Sequence, residues 1–258
     1  MPTGDSAIGD GAVRIAAVGD VHMADDLRGR YAPALQQLAG QADILLVAGD
    51  LTQHGTLDEA AAFAEEFTAS EVPVVAILGN HDHHSGLQDE IVELINRAGI
   101  TVLEGAGTVL DTERGRIGVA GAKGFCLGFT GRCAANFGET QMKAFTQHGI
   151  DSAGLLRRGF DELEQAEPAA EVRVALTHFA PTTTTLRGEP AEIWPFLGNH
   201  LLGEVIDEVN ADFAVHGHAH AGSERGKTER GVPVRNVAQP VIRSAYRIYE
   251  IPVRVTAA

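Results

Sequence analysis

Short apolar runs alternate with amphipathic stretches along most of this chain. Six runs have the composition of buried strands, at residues 14–20, 43–50, 72–80, 116–121, 172–178 and 212–216. Runs of this length that end in glycine or a polar residue are typical of strands covered on both faces. Residues 232–255 have a plainer pattern, which predicts two or three further strands joined by turns.

Two stretches between the early strands have helical spacing. Residues 56–70 open with Thr56 and Glu59, which form the Thr-x-x-Glu pattern of a capping box. Residues 85–98 form the second predicted helix, and Gly99 is its expected end. Strands that alternate with helices predict an α/β fold of packed layers.

Two regions do not follow this alternation. Residues 122–167 begin rich in glycine and then become helical with a mixed face, and residues 181–195 are rich in threonine and proline. We interpret both as long loops inserted on the scaffold, and loops of that length are often functional. Because no linker or repeat divides the chain, we expect residues 1–258 to form a single domain.

Charge and composition exclude several classes of protein. The chain has 20 Lys and Arg residues against 35 Asp and Glu residues, and the net charge of −15 opposes broad binding to nucleic acid. Its two cysteines, Cys126 and Cys133, are too few for a disulfide framework. Residues 1–12 lack the features of a secretory signal, and no apolar run is long enough to span a membrane, so we expect a cytoplasmic protein.

A polar cluster follows five of the predicted strands. The clusters are Gly-Asp-x-His at 19–22, Gly-Asp-x-x-x-x-Gly at 49–55, Gly-Asn-His-Asp at 79–82, a solitary histidine at 178 and Gly-His-x-His at 217–220. Side chains directly after strands lie at the carboxyl edge of a sheet, where open α/β folds bind ligands. The clusters therefore predict one site with these candidate metal ligands: Asp20, His22, Asp50, Asn80, His178, His218 and His220.

The ligand types restrict the metal. Carboxylate, imidazole and amide groups suit divalent Mn, Fe and Zn, and the absence of cysteine opposes a closed structural zinc site. Each fragment alone has a plain structural explanation, since a Gly-Asp pair is usually a turn and a single histidine is usually a hydrogen-bonded polar residue. All five in order, each after a strand, are improbable by chance.

With these five clusters in this order, the sequence resembles the calcineurin-like metallophosphoesterase superfamily over roughly residues 14–220. The resemblance implies a four-layer αββα sandwich of two mixed β-sheets flanked by helices. It also implies two divalent metal ions, for which a mixed Fe/Mn pair is one option, with Asp50 as the bridging ligand. The first ion would be held by Asp20, His22, Asp50 and His220, and the second by Asp50, Asn80, His178 and His218.

The resemblance implies a mechanism as well. Two ions (+4), two aspartates (−2) and a bridging hydroxide (−1) leave about +1 at the centre, which attracts a phosphate ester despite the negative protein. The bridging hydroxide would attack the phosphorus, with Asp50 as a catalytic residue because it holds both ions. His81 matches the non-ligand histidine that protonates the leaving group.

The segment at 49–55 narrows the substrate. Protein phosphatases of this superfamily carry an Asp-Arg pair where this chain has Gln53 and His54, so we expect a small phosphodiester substrate, as in the bacterial phosphodiesterase-like branch. A small-molecule phosphomonoesterase or nucleotidase is the alternative, and a non-catalytic metal-binding scaffold is a further one. The sequence leaves the oligomeric state open.

Several other polar residues have both a structural and a functional interpretation. We expect His54, His83 and His84 to be solvated or to support the ligands, and His216 to be buried structure. Asp82 either orients a neighbour or occupies an exposed turn. Loop position makes five residues candidates for substrate contact, with surface charge as the alternative: Lys123, Arg132, His148, Arg187 and His200.

Overall fold

The computed structural model describes residues 11–253 of the chain. The strands are β1 (Ala12–Val18), β2 (Ile44–Ala48), β3 (Val74–Ile77), β4 (Thr101–Val102), β5 (Ala106–Thr112), β6 (Gly115–Ala122), β7 (Gly128–Phe129), β8 (Arg132–Cys133), β9 (Val172–Thr177), β10 (Phe213–His216), β11 (Arg225–Lys227), β12 (Pro233–Asn236) and β13 (Arg247–Pro252). The helices are α1 (Ala32–Leu35), α2 (Leu57–Phe67), α3 (Gln88–Arg97), α4 (Thr140–Gln165), α5 (Trp194–Leu197), α6 (His200–Glu208) and α7 (Gln239–Ile242).

The strands form two large sheets of mixed direction. The first has the order β13-β1-β2-β3-β4 and is parallel except for β13. The second has the order β11-β12-β10-β9-β6-β5, with a parallel centre and an antiparallel pair at each edge. Strand β2 is buried along its whole length because it lies between parallel neighbours and both of its faces are covered.

Alternate residues of the second sheet belong to two different cores. Ile117 of β6 and Val174 of β9 pack with residues of the first sheet and with α2 and α3. Their neighbours Ala120 and Ala175 face the other way and pack with α4 and α6. This alternation of sides, with period two along each strand, gives the expected four layers of helix, sheet, sheet and helix.

The region 122–167 is not the inserted loop that its sequence suggests. Residues 140–165 form α4, a single helix that packs on β5 and β6 as part of the outer helix layer. The helix approaches the sheet closely because Gly159 faces Gly107, and a Cβ on either glycine would collide with backbone atoms of the other element. Only residues 123–139, with the short β7–β8 hairpin, have the irregular character that was expected.

The other predicted elements are found with small changes. Thr56 caps α2, its side chain accepting from the Glu59 amide while the Glu59 carboxylate accepts from the Thr56 amide. The tail contains two strands, β12 and β13, with α7 between them. Strand β5 is an addition that the apolar pattern did not indicate. The predictions for residues 1–10 and for the end of the tail at 254–255 lie outside the described residues.

A small third group of apolar side chains supports the outer surface near α5. It contains Phe129, Ala180, Leu186 and Ala219, with Trp194 and Leu197 packed against them. Residues 126–145 and 193–199 meet over this group, and we call these two segments together the cap.

No helix within residues 11–253 is long and apolar enough to cross a membrane.

Candidate metal centre

The strand ends from both sheets meet at one end of the sandwich. Asp20 and His22 follow β1, Asp50 follows β2, and Asn80 with His81 follows β3. The second sheet supplies the remaining candidate ligands, which follow β9 and β10: His178, His218 and His220. The structure thus brings together all seven side chains that the sequence analysis singled out.

Asp50 lies between two sets of these side chains. Its carboxylate oxygens are 3.4 Å from His178 Nε2 on one side and 3.7 Å from His22 Nε2 on the other. The His81 amide donates to Oδ1 of the same carboxylate over 2.9 Å. Because Asp50 is almost completely buried, its charge is directed into the site and not into solvent.

Asp20 forms a second anchor, toward the end of the site nearer β10. Its carboxylate accepts from the His218 amide at 3.0 Å and lies 2.8 Å from His220 Nε2. Ligand atoms of Asp20, His22 and His220 all lie within 4.8 Å of one another, and so do those of Asp50, His178 and His218. The first group belongs to one of the two predicted metal positions and the second group to the other, and Asn80 lies beside the second group with its Oδ1 3.0 Å from His178 Nε2.

Asn80 and His178 are linked to each other. His178 Nε2 is 3.0 Å from Asn80 Oδ1, and His178 Nδ1 donates to the Ala48 carbonyl at 2.9 Å. The bond to Ala48 fixes the ring orientation and leaves Nε2 to act as a ligand, as is usual for a metal-binding histidine. The imidazole itself has no solvent exposure.

The backbone at the ligands is in an unusual conformation. Asp20, His22, Asp50 and His218 have φ values of 55°, 43°, 50° and 68°. Such left-handed conformations cost of order 1–3 kcal/mol each for residues other than glycine, and they concentrate at functional sites. The rest of the fold therefore holds these four side chains in place against a local energetic cost.

Two glycines allow the segments to approach each other. A Cβ on Gly79 would collide with the Asp50 carboxylate, and a Cβ on Gly217 would collide with the Asp20 carboxylate. Each glycine directly precedes a candidate ligand, Asn80 or His218, so the absence of a side chain brings that ligand close to the facing aspartate.

Burial changes the protonation of the candidate ligands. It raises the pKa of Asp20 to about 6. It lowers the pKa of His22 to about 4, that of His218 to about 3 and that of His178 well below its usual value. These three imidazoles are therefore neutral at neutral pH, which is the form that binds metal.

One buried nitrogen atom among the candidate ligands is consistent with a metal-binding role. His22 Nδ1 is buried and has no hydrogen-bond partner among the residues that the structure describes. Unpartnered buried polar atoms are rare in native structures, and a bound ion is one recognised reason for them. Together with the carboxylate, imidazole and amide donors around it, this atom fits a site for divalent ions such as Mn, Fe or Zn.

The calcineurin-like phosphoesterase family profile matches residues 13–222. The chain belongs to that family. Members typically depend on two metal ions, and this chain has the corresponding groups of candidate ligands. No curated protein matches the chain.

Solved structures of this fold extend over nearly the whole chain. Phosphopantetheinyl hydrolase from Mycobacterium tuberculosis is 15% identical with a TM-score of 0.63, and the match covers 93% of this chain and 96% of the other. The protein TT1561 of Thermus thermophilus is 16% identical with a TM-score of 0.57, covering 94% and 100%. A 5'-nucleotidase, so named provisionally, from Staphylococcus aureus is 13% identical with a TM-score of 0.57, covering 95% and 55%. At these identities the likeness is one of fold.

His81 lies at the centre of the site beside the candidate ligands. Its ring centroid is 4.5 Å from that of His22, and its Nδ1 donates to the Gln53 carbonyl at 2.8 Å. A ligand atom of His81 also lies within 4.8 Å of those of His22 and Asp50. Gln53 thus orients His81 through its backbone, a contact that its side-chain type did not indicate.

The structure resolves the two interpretations of Asp82. This residue is fully buried, and its carboxylate accepts from the amides of Leu51, Thr52 and Gly79 and from the Thr52 hydroxyl. It therefore joins the segment after β2 to the segment after β3, and the exposed-turn interpretation is wrong. Burial raises its pKa to about 6.

The remaining histidines lie around the centre in supporting or separate positions. His216 is buried and bonded to the Thr185 hydroxyl and the Gly217 carbonyl, as the structural interpretation predicted. His54 is paired with Glu59 at the surface. His148 packs against the ring of Phe125, and His200 Nδ1 contacts the Gly128 carbonyl in the cap.

The sequence analysis did not predict that Lys123 and Glu104 lie close together beside the site. Lys123 Nζ lies 5.6 Å and 5.5 Å from the ring centroids of Phe125 and Phe179, and burial lowers its pKa. The carbonyl of Lys123 accepts from the His178 amide. Burial also raises the pKa of Glu104 to about 7, and Glu104 and Lys123 interact electrostatically. Only their long-range packing reveals the pair, because Glu104 lies in an ordinary turn before β5.

Proposed function

We propose that this protein hydrolyses small phosphate esters at two divalent metal ions. Asp20, His22, Asp50 and His220 hold one ion in this proposal, and Asp50, Asn80, His178 and His218 hold the other. The observation that supports it most strongly is the position of Asp50, a buried carboxylate with candidate ligands on both sides within 3.7 Å. Two bound ions supply a water of lowered pKa and neutralise charge on the phosphoryl group.

The residues of the chain have separate tasks in this proposal. Asp50 would contribute its carboxylate to both ion positions, and the bond from His178 Nδ1 to the Ala48 carbonyl keeps the His178 ring from turning. His81 carries the proton for the leaving oxygen. Because the Nδ1 proton is held by the Gln53 carbonyl, the doubly protonated ring gives its Nε2 proton to the ester oxygen and is left neutral with its proton on Nδ1.

We propose diesters as the preferred substrates. Residues 49–55 place Gln53 and His54 where related protein phosphatases have Asp and Arg, so this segment offers no guanidinium for a doubly charged monoester. The names of the fold neighbours refer to a phosphopantetheinyl group and to a nucleotide. The fold therefore does not choose between substrate classes, and the segment at 49–55 is the feature that supports diesters.

One observation favours monoesters as the second candidate. The Lys123 ammonium lies over the rings of Phe125 and Phe179 and interacts electrostatically with His178, and a cation there would attract the extra charge of a monoester. In that case Lys123→Met should lower turnover of monoesters much more than that of diesters. If diesters are preferred, Lys123→Met should affect both classes about equally.

The decisive experiment combines metal analysis with a substrate screen. Purified protein is reconstituted with Mn, Fe or Zn, and we expect two ions per chain by elemental analysis. Hydrolysis of aryl and nucleotide diesters should equal or exceed that of matched monoesters. Absence of stoichiometric metal would overturn the metal centre, and a strong preference for phosphoserine peptides would overturn the diester assignment. Metal without turnover of any ester would favour a binding scaffold.

A further inference from the structure

A cavity of about 650 Å³ opens in the cap. Its walls come from the β7–β8 hairpin, from the first turns of α4 and from α5, and they include Leu127, Met142, Phe145, Pro195 and Phe196. Pockets that hold small molecules commonly have roughly 300–1,000 Å³ and mainly apolar walls. The cavity therefore has the size and the lining of a ligand site.

The cavity lies next to the candidate metal centre. The carbonyl of Phe196 lies 3.4 Å from His218 Nε2, so one residue both lines the cavity and contacts a candidate ligand. A series of contacts between aromatic rings also joins His218 to the cavity wall. The ring of His218 lies 4.4 Å from that of Phe179, Phe179 lies 6.1 Å from Phe125, and Phe125 lies 5.1 Å from Phe145 in the cavity wall.

The charge of the cavity wall suits an anionic ester. Arg132 is the one charged residue among those of the described chain that line it, and no carboxylate does, in a protein whose net charge is −15. Two apolar wall residues are also left open to solvent, since Phe196 is 60% exposed and Met142 is 43% exposed. Large exposed apolar side chains that gather at one concave place mark a binding surface.

We propose that this cavity binds the apolar organic substituent of the phosphate ester. The preferred substrates then carry an alkyl chain or an aromatic group, and not a sugar or a peptide, on one ester oxygen. This inference rests on the proposed hydrolysis at the metal centre, and it adds the chemical class of the substrate. The phosphoryl group lies at the strand ends, and the substituent extends over His218 and Phe196 into the cap.

The test uses a series of p-nitrophenyl alkyl phosphates, from methyl to octyl, with the metal-loaded protein. Each methylene that leaves water improves binding by roughly fourfold when fully buried, so we expect KM to fall by at least about tenfold across the series. Calorimetric titration with methyl, hexyl and octyl phosphonate gives the same trend in Kd without turnover. Phe196→Ser and Met142→Ser should remove most of the trend in both measurements.

Matched controls separate this effect from general damage to the fold. Ile150→Ser lies on the same helix as Met142 and has a similar exposure of 39%, and Phe137→Ser changes an exposed aromatic residue that does not line the cavity. Both controls should keep the full dependence on chain length.

Turnover of the series without any dependence on chain length would overturn this inference and leave the proposed hydrolysis intact. Absence of turnover for every ester would instead contradict the proposed function. If Phe196→Ser converts a dimer to a monomer in sedimentation and the chain-length trend is unchanged, the cavity is an interface between copies of the chain and the inference is wrong.

Discussion

The candidate metal centre and the cap differ in how their residues are held in place. Candidate ligands such as Asp50 and His178 are buried, oriented by backbone groups and attached to the ends of central strands. The cap is made of two-stranded β7–β8, the first turns of α4 and the four-residue α5, and it leaves Phe137 and Phe196 exposed. One region is fixed by many contacts of the sandwich, and the other rests on a small apolar group of its own.

In the proposed function, this difference assigns the reaction to one region and the choice of substrate to the other. A change in the candidate metal ligands should alter the rate for every ester, because all substrates would need the same ions, whereas loss of the proton donor should slow mainly esters with a basic leaving group. A change in the cap should alter stability or the choice of substrate and leave the reaction itself in place. The experiments below test that separation, beginning with the largest expected effect.

The first experiment removes the central carboxylate. Asp50→Asn should lower kcat/KM for all esters by about ten-thousandfold or more, since the charge that both ions require is lost and metal catalysis supplies several kcal/mol. Metal content should fall in parallel, as measured by elemental analysis. Asp58→Asn, at an exposed position on α2, is the control and should behave like the unchanged protein. Retained activity in Asp50→Asn would mean that the centre lies elsewhere.

The second experiment tests the proton donor. His81→Ala should slow alkyl esters by about a hundred- to ten-thousandfold, the usual range for general-acid catalysis, and slow nitrophenyl esters much less. Nitrophenolate leaves readily without a proton, so the ratio of the two losses measures the role of the acid. His84→Ala, exposed nearby, is the control. If His81→Ala loses metal, or slows both kinds of ester equally, His81 is a ligand and not the acid.

The third experiment weakens the base of the cap. Asn199 is buried, caps α6 by accepting from the Leu201 amide and donates to the Gly149 carbonyl of α4. Asn199→Ala should lower the free energy of unfolding by about 2 kcal/mol, because the N-cap of α6 and the buried hydrogen bond from Asn199 to α4 are both lost, while the Gly149 carbonyl keeps the Ser152 hydroxyl as a donor. Thr56→Ala removes only the N-cap of α2 and should lower the free energy of unfolding by about 1 kcal/mol.

Urea unfolding measures both Asn199→Ala and Thr56→Ala, and turnover of a small aryl diester should change far less than stability in each. Equal destabilisation by the two substitutions would show that the bond between α6 and α4 contributes nothing. A large loss of turnover in Asn199→Ala would contradict the separation of cap and chemistry.

The smallest expected effect concerns pH. Burial lowers the pKa of His216 to about 4 from 6.5, so its contribution to stability is complete above pH 6.5 and is lost as pH falls toward 4. Between pH 6.5 and 5 this amounts to about 1.6 kcal/mol. Urea unfolding without metal at pH 6.5 and pH 5 measures this contribution. The free energy of unfolding of His216→Gln should fall between these pH values by that much less than the free energy of the unchanged protein. The same pH dependence in both proteins would mean that His216 is not a buried neutral group.

The strand ends could be predicted from sequence because their signals are local. Apolar runs such as residues 44–48 and 172–177 are buried almost throughout, so they are mainly apolar and are followed directly by a glycine or a histidine. The segments carrying Asp20, Asp50 and Asn80 were therefore placed at the correct edge. Their role as metal ligands remains a prediction, which the metal analysis tests.

The helix α4 was mistaken for part of an inserted loop for a physical reason. Its buried side includes Thr146, Gly149, Ser152 and Gly159, because the helix lies close to a face of the second sheet that is lined by alanine and glycine. Small and polar residues on the buried side hide the apolar stripe that normally identifies a packed helix. The cavity in the cap was equally hidden, since it depends on residues from the β7–β8 hairpin and from α5, which are far apart in the sequence.

The left-handed backbone at the ligands limits how this centre could be redesigned. Asp and His adopt that conformation more readily than most other residue types, so Asp20, His22, Asp50 and His218 are constrained by backbone geometry in addition to their proposed role as ligands. A glutamate or cysteine introduced there would add backbone strain to any change in metal preference. Asn80, with a φ of −71°, and His178 and His220, which lie outside the left-handed region, are the positions where a new ligand type can be introduced with the least disturbance.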